Sequence, residues 1–282
     1  GMNVSMRDGF NLGWKLAAVL RKQAVPEILH SYSAERQGVA KMLIDFDREF
    51  ARMFSAKPKT GDAEGGVDPE EFQKYFVQHG RFTAGTAIQY APSVLTGADT
   101  HQALASGFPL GMRFHSAPVI RLADARPLQL GHVVRADGRW RLFAFAATDD
   151  RGQEGGALQA MCQYLEGDAA SPLRRYTAKG ADIDSVLDVR AVLQQEHRSL
   201  TPGDMPSLLR PLKGRYGLRD YEKVFCPDLK SGQDIFDMRG IDRSQGCMVL
   251  VRPDQHVAQV LPLDAHEALS QFFDGFMIPA AG

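Results

Sequence analysis

The first polar residues of the chain, Asn3, Ser5 and Asp8, are where its sequence first offers chemistry. All three are helix-capping types. From Phe10 onward, apolar residues recur at spacings of three and four. Phe10, Trp14 and Ala17 share one face, with Leu12, Leu16 and Val19 beside it. A helix is therefore expected to begin almost at the first residue. N–H groups in a helix's first turn have no acceptor within the helix and lie at the positive end of its dipole. Such a start suits an anion. Here it is formed by Gly1, Met2 and Asn3. An ordinary amphipathic helix with a polar cap explains the same pattern.

Other chemistries are less well served. Cys162, Cys226 and Cys247 lie far apart. They read as small buried hydrophobes, with Cys226 partly exposed before Pro227, and their odd number fits a reducing, cytoplasmic compartment. The eight histidines are dispersed, and no HxxxH or HExxH spacing with a third ligand occurs. There is no G-x-S-x-G and no phosphate-binding P-loop. Asp149-Asp150 reads as a solvated loop or a helix cap. A net charge of −1 gives no basic field for nucleic acid, and no apolar run is long enough to span a membrane. The 282 residues suffice for one large domain or two ordinary ones.

Several elements must position these groups. The first helix is expected to run to about Lys22, and Pro26 opens a short turn. Ser33 is expected to cap a long helix opened by Glu35 and Arg36 and running through Phe54. Its apolar face is Val39, Met42, Leu43, Phe46, Phe50 and Met53. Residues 55–67, rich in Gly, Pro and charge, read as a linker. Asp68-Pro69-Glu70-Glu71 is a capping box for a helix to about Gln78, and 81–93 reads as extended or irregular. Past Pro109 come strands at 118–122, 127–130 and 139–146, a helix at 156–165 and a strand at 184–189. A short helical or irregular segment is expected near 217–220. Residues 247–252 and 257–261 form a hairpin turned by Pro253-Asp254-Gln255, and a helix closes the chain at 264–277.

Two of these segments carry a resemblance. Gly1-Met2-Asn3, Asp8 and Asn11-Leu12-Gly13-Trp14-Lys15-Leu16 resemble the flavin-contacting segment of the single-component flavoprotein aromatic hydroxylases. Tyr32, Glu35 and Arg36 match a Tyr-x-x-Glu-Arg of the same family. The later order of strand, helix, strand, irregular segment, hairpin and helix is similar to the thioredoxin-like domain that ends the branch containing phenol 2-monooxygenase and 3-hydroxybenzoate 4-monooxygenase. The resemblance implies an α/β fold in three parts. Residues 1–54 would be closing helices of a truncated FAD-binding domain, 55–107 a linker and bridge, and 108–282 a thioredoxin-like dimerisation domain.

It further implies that Gly1, Met2 and Asn3 face the pyrimidine edge of FAD, with no catalytic residue and no metal site in this chain. Phenolic substrate and NAD(P)H would belong to the full-length enzyme. No G-x-G-x-x-G unit and no acidic motif precedes Gly1, so the chain alone is not expected to hold FAD or to catalyse. Gly1 also reads as a residue left by a cleaved tag, with Met2 the encoded start; both readings place the beginning inside a module. Glu35 and Arg36 are expected to be solvated or paired within the helix start. The 147–153 loop has no cysteine, and no proline precedes Cys247, so the C-terminal domain is expected to be redox-silent. The apolar faces of 1–54 are expected to pack on a second copy, giving a homodimer, or on the C-terminal domain. The alternative is a free-standing, redox-silent thioredoxin-like binding or assembly module.

Overall fold

A computed structural model describes residues 2–55 and 69–280. Three helices come first: α1 (Met2–Leu20), α2 (His30–Ser55) and α3 (Pro69–Ala84). Strands β1 (Pro118–Arg121), β2 (Arg126–Gln129) and β3 (Trp140–Phe145) follow. Next are α4 (Ala157–Gly167), α5 (Pro172–Tyr176), β4 (Leu187–Val192), β5 (Leu212–Lys213), β6 (Leu218–Arg219) and β7 (Val224–Pro227). The chain closes with α6 (Ile235–Met238), β8 (Cys247–Val251), β9 (Val257–Leu261) and α7 (His266–Asp274).

Seven strands form one sheet in the order β2-β1-β7-β4-β3-β8-β9, and β5-β6 form a separate hairpin. β3 runs parallel to β4, and β4 parallel to β7. β8 is antiparallel to β3 and to β9, and the β1-β2 pair adds antiparallel to β7. β3 is buried along its whole length, because both sheet faces are covered. Trp140, Leu142 and Ala144 face one core, with α4, α5 and α7. Phe143 and Phe145 face another, with Phe108, Phe114 and Phe236. Asp150, in the loop after β3, accepts from the backbone N–H groups of Gly152 (2.9 Å) and Leu158 (2.7 Å). It is a buried cap for the start of α4.

Several sequence expectations shift. α2 begins at His30, directly after a 3₁₀ turn at Pro26–Leu29, so Ser33 lies inside the helix and does not cap it. α3 continues through Arg81–Ala84, a stretch expected to be extended. The strand expected at 184–189 lies at 187–192, and the segment near 217–220 contains β6. β7 is an unexpected interior strand, too short and too close to Pro227 to carry a periodic signal; it buries Cys226 completely, against the expected partial exposure. Asp68 and nearly all of the expected 55–67 linker lie outside the described residues. Among the described residues, no helix is long and apolar enough to cross a membrane.

Charge holds β4 to β7. Lys223 Nζ donates to Asp184 Oδ2 and to Asp188 Oδ1, each at 2.6 Å, and Arg141 Nε lies 3.1 Å from Asp188 Oδ2. Burial pushes the Asp184 carboxyl up, but Lys223 and Lys213 outweigh it and hold the group at about 2. A carboxylate held below its ordinary value stabilises the fold fully above about pH 4, and that contribution is lost as pH falls through the folded value. Urea unfolding at pH values from 7 to 2 checks this. The midpoint should fall steeply on the acid side. Lys223→Met removes the cation shared by both buried carboxylates but leaves Asp184 with Lys213 and Asp188 with Arg141 and Arg190, so it should cost about 1–3 kcal/mol at pH 7 and flatten the acid dependence.

Candidate functional site

The buried seam of α1 is polar where apolar spacing predicted otherwise. Val4, Asn11 and Lys15 are its buried residues, whereas Phe10, Trp14 and Ala17 are half-buried and Leu16 is exposed. The cause lies in what α1 packs against. The β8-β9 turn presents Arg252, Asp254 and His256 on one side, held by an Arg252 N–H to His256 carbonyl bond of 2.8 Å. α2 brings Glu35 to the same point.

Arg252 donates from Nη1 to Glu35 Oε1 (2.6 Å) and from Nη2 to Glu35 Oε2 (2.9 Å), a two-pronged pair. Its Nε and Nη2 also reach Asp254 Oδ1 (3.0 Å) and Oδ2 (2.7 Å). Lys15 Nζ donates to Glu35 Oε2 and to Asn11 Oδ1, both at 2.8 Å. Asn11 Nδ2 donates to Glu35 Oε2 at 2.7 Å, and Trp14 Nε1 to Asp254 Oδ2 at 3.1 Å. Trp14 also meets Trp140 edge-on, with ring centroids 5.8 Å apart. The four charged side chains are at most 4 % exposed. Burial opposes ionisation of Glu35 and Asp254, yet Arg252 holds both below the ordinary carboxylate range. Burial lowers Lys15, with Glu35 opposing.

Beside this network Arg36 is buried, donating from Nε to Asp8 Oδ1 (2.6 Å) and from Nη1 to the Tyr90 hydroxyl (3.2 Å). Glu35 and Arg36 are therefore neither solvated nor paired within their own helix start. Their partners come from α1, the 90s segment and, for Glu35, the β8-β9 turn. Arg7 donates to the carbonyls of Ala84 and Gly85 at the end of α3. Gly85 has φ 67°, a conformation that favours glycine, and a Cβ there would displace the Arg7 guanidinium.

Beside these contacts lies a cleft of about 370 Å³, lined by the flank of α1 that carries Asn3, Met6, Arg7 and Phe10, together with Arg36, Arg113 and Asp254. Met2 is the first helical residue and is exposed; Gly1 lies outside the described residues. No acidic residue stands in the first turn. The cysteines contribute no reactive thiol: all three are buried, and burial pushes Cys226 up to about 12. Among the described residues, no group of three or more His, Cys, Asp or Glu side chains is gathered around a metal position.

The sequence model described as phenol hydroxylase, C-terminal dimerisation domain, matches residues 88–281. The chain belongs to this family. An FAD binding domain model matches residues 1–47. A 3-hydroxybenzoate 4-monooxygenase of Comamonas testosteroni is 65% identical over 278 residues, 98% of this chain and 43% of that protein. An FAD-dependent monooxygenase of Aspergillus terreus is 37% identical, over 98% of this chain and 46% of its own length. The chain thus spans less than half of these relatives. Among solved structures, the flavin-dependent monooxygenase PieE in complex with FAD and substrate superposes with a TM-score of 0.55 at 18% identity. It covers 98% of this chain and 45% of that one, and shows a shared fold. As a phenol hydroxylase C-terminal domain with flavin-domain helices attached, the chain carries both matched segments in one packed unit, and the Arg252–Glu35 pair crosses between them.

Removing one member of that pair strands buried charge. Glu35→Gln should lower the unfolding free energy by about 3–5 kcal/mol. Asp45→Asn, at the exposed Arg48–Asp45 pair on the same helix, should change it by less than about 0.5 kcal/mol. Chemical denaturation of the two variants beside the parent chain checks this.

Proposed function

We propose that this chain is the C-terminal part of an FAD- and NAD(P)H-dependent monooxygenase of phenolic rings, of the phenol or 3-hydroxybenzoate class. In this reading the helix start at Gly1, Met2 and Asn3 faces the pyrimidine edge of the flavin. The observation that carries it is the fixed position of α1: Lys15, Asn11 and Trp14 pin the helix, and Asn3, Met6 and Arg7 near its start line a cleft with Arg113. The activities named for the relatives support the same reaction class.

Bound FAD supplies the oxygen chemistry. This chain's share is orientation and electrostatics. The first-turn N–H groups and the nearby guanidiniums favour negative charge at the ring edge. The ion network keeps α1 from shifting as charge develops there. The C-terminal domain, with a parallel β3-β4 pair flanked by the β8-β9 hairpin, is read as thioredoxin-like and as a homodimerising body, a role its family's description supports. Exposed Leu16, Leu20, Met42 and Ile44 on α1 and α2 give the flavin part of the enzyme an apolar surface to cover. The chain alone is read as non-catalytic.

Two preparations test this. The chain alone, mixed with FAD and desalted, should keep no flavin absorption; stoichiometric flavin would contradict the assignment of a single wall. A chimera joining this chain to the preceding part of the Comamonas testosteroni relative should retain FAD and hydroxylate 3-hydroxybenzoate with NADH or NADPH. A chimera that holds FAD yet hydroxylates no phenolic ring would overturn the proposed function.

A further inference from the structure

A second cavity, of about 930 Å³, adjoins the first and shares Arg113 with it. Its wall carries three guanidiniums, Arg81, Arg113 and Arg239, together with His115 and His132, and it contains no carboxylate. This sets its arginines, two half-buried and Arg81 exposed, apart from the buried ones. Arg36 meets Asp8, Arg141 meets Asp188, and Arg252 meets Glu35 and Asp254. Among the described residues, Arg113 donates to the Gln255 side chain and Arg239 Nη2 to the Ser116 carbonyl, both neutral groups. Arg239 Nε is buried without an acceptor among the described residues. Burial and the neighbouring Arg239 and Arg81 push His115 down, so these cations converge closely enough to act on one imidazole.

The backbone holds this arrangement in place. Gly107 N–H donates to the Arg239 carbonyl at 2.8 Å, and a Cβ on Gly107 would lie 2.5 Å from the Arg239 Cα. Like charges in a concave, partly dry wall repel one another and raise the local positive potential. Guanidinium forks match the planar or tetrahedral oxygens of carboxylate and phosphate. Met112 and Phe114 on the same wall give an apolar body somewhere to lie.

We propose that this cavity binds a small organic oxyanion, with Arg239 and Arg113 holding the charged group and Arg81 standing at the rim. The site is separate from the flavin-facing edge, and its test needs no flavin. Calorimetric titration of the whole chain at low salt would use benzoate, phenyl phosphate and, as the neutral control, benzyl alcohol. At least one anion should bind saturably at one per chain, weakening several-fold as salt is raised, while benzyl alcohol should not saturate. Whichever anion binds tighter assigns the group as carboxylate or phosphate ester. Arg239→Gln should weaken binding at least tenfold. Arg81→Gln, at an exposed side chain without an ion-pair partner among the described residues, should weaken it about threefold with unchanged thermal stability. If neither anion saturates, if the alcohol binds equally well, or if Arg81→Gln and a folded Arg239→Gln both leave affinity unchanged, the proposal fails.

Discussion

A buried arginine that grips a glutamate from a distant helix constrains everything around it. Arg252 and Glu35 are 217 positions apart in the chain and are both almost wholly shielded from water. Neither charge is tolerable in that place without the other. Lys15 and Asp254 extend the pair into a set of two positive and two negative charges, and Asn11, Trp14 and Thr96 supply neutral hydrogen-bond partners to it. Such a network allows little compromise. Either α1, α2 and the β8-β9 turn are all in place, or several buried groups are left unpaired at once.

This all-or-none character joins the two matched segments. The helices resembling a flavin domain do not simply precede the C-terminal sheet in sequence; they share its cores. Ala24 and Ile28 lie in the Trp140 cluster, and Trp14 packs against it. Val4 and Val39 form a smaller cluster with Ile88 and Tyr90. The direction of α1 is therefore inherited from the rigid sheet through Trp140 and the hairpin turn. A helix supported in this way keeps one orientation.

The sheet was largely legible in the sequence. β3, the β8-β9 hairpin, α4 and α7 announced themselves through apolar runs and turn residues, because a strand buried on both faces has nowhere to put polar groups. β7 was not legible, being four residues long and ending at a proline. The site was legible only in part. Apolar spacing found the flank of α1 that carries Trp14 and Val19 but missed the buried seam beside it, since that seam runs through Asn11 and Lys15, and periodicity counts such residues as solvent-facing. Glu35 looked like an ordinary helix-start acid because its decisive partner lies near the other end of the chain. The one signal that pointed correctly was the joint occurrence of Asn11, Trp14, Lys15, Glu35 and Arg36 in two family-like motifs. Those motifs build the junction that fixes α1 and α2 against the β8-β9 turn.

Native-state hydrogen exchange of α1 compared with β3 tests this account most directly. If the buried pair makes one cooperative unit of the two segments, interior amides of α1 around Lys15 should open with the same free energy and denaturant dependence as those of β3. If the α1 amides exchange through a separate, lower-energy opening while β3 stays protected, the helix is not held by the network and the central claim is wrong.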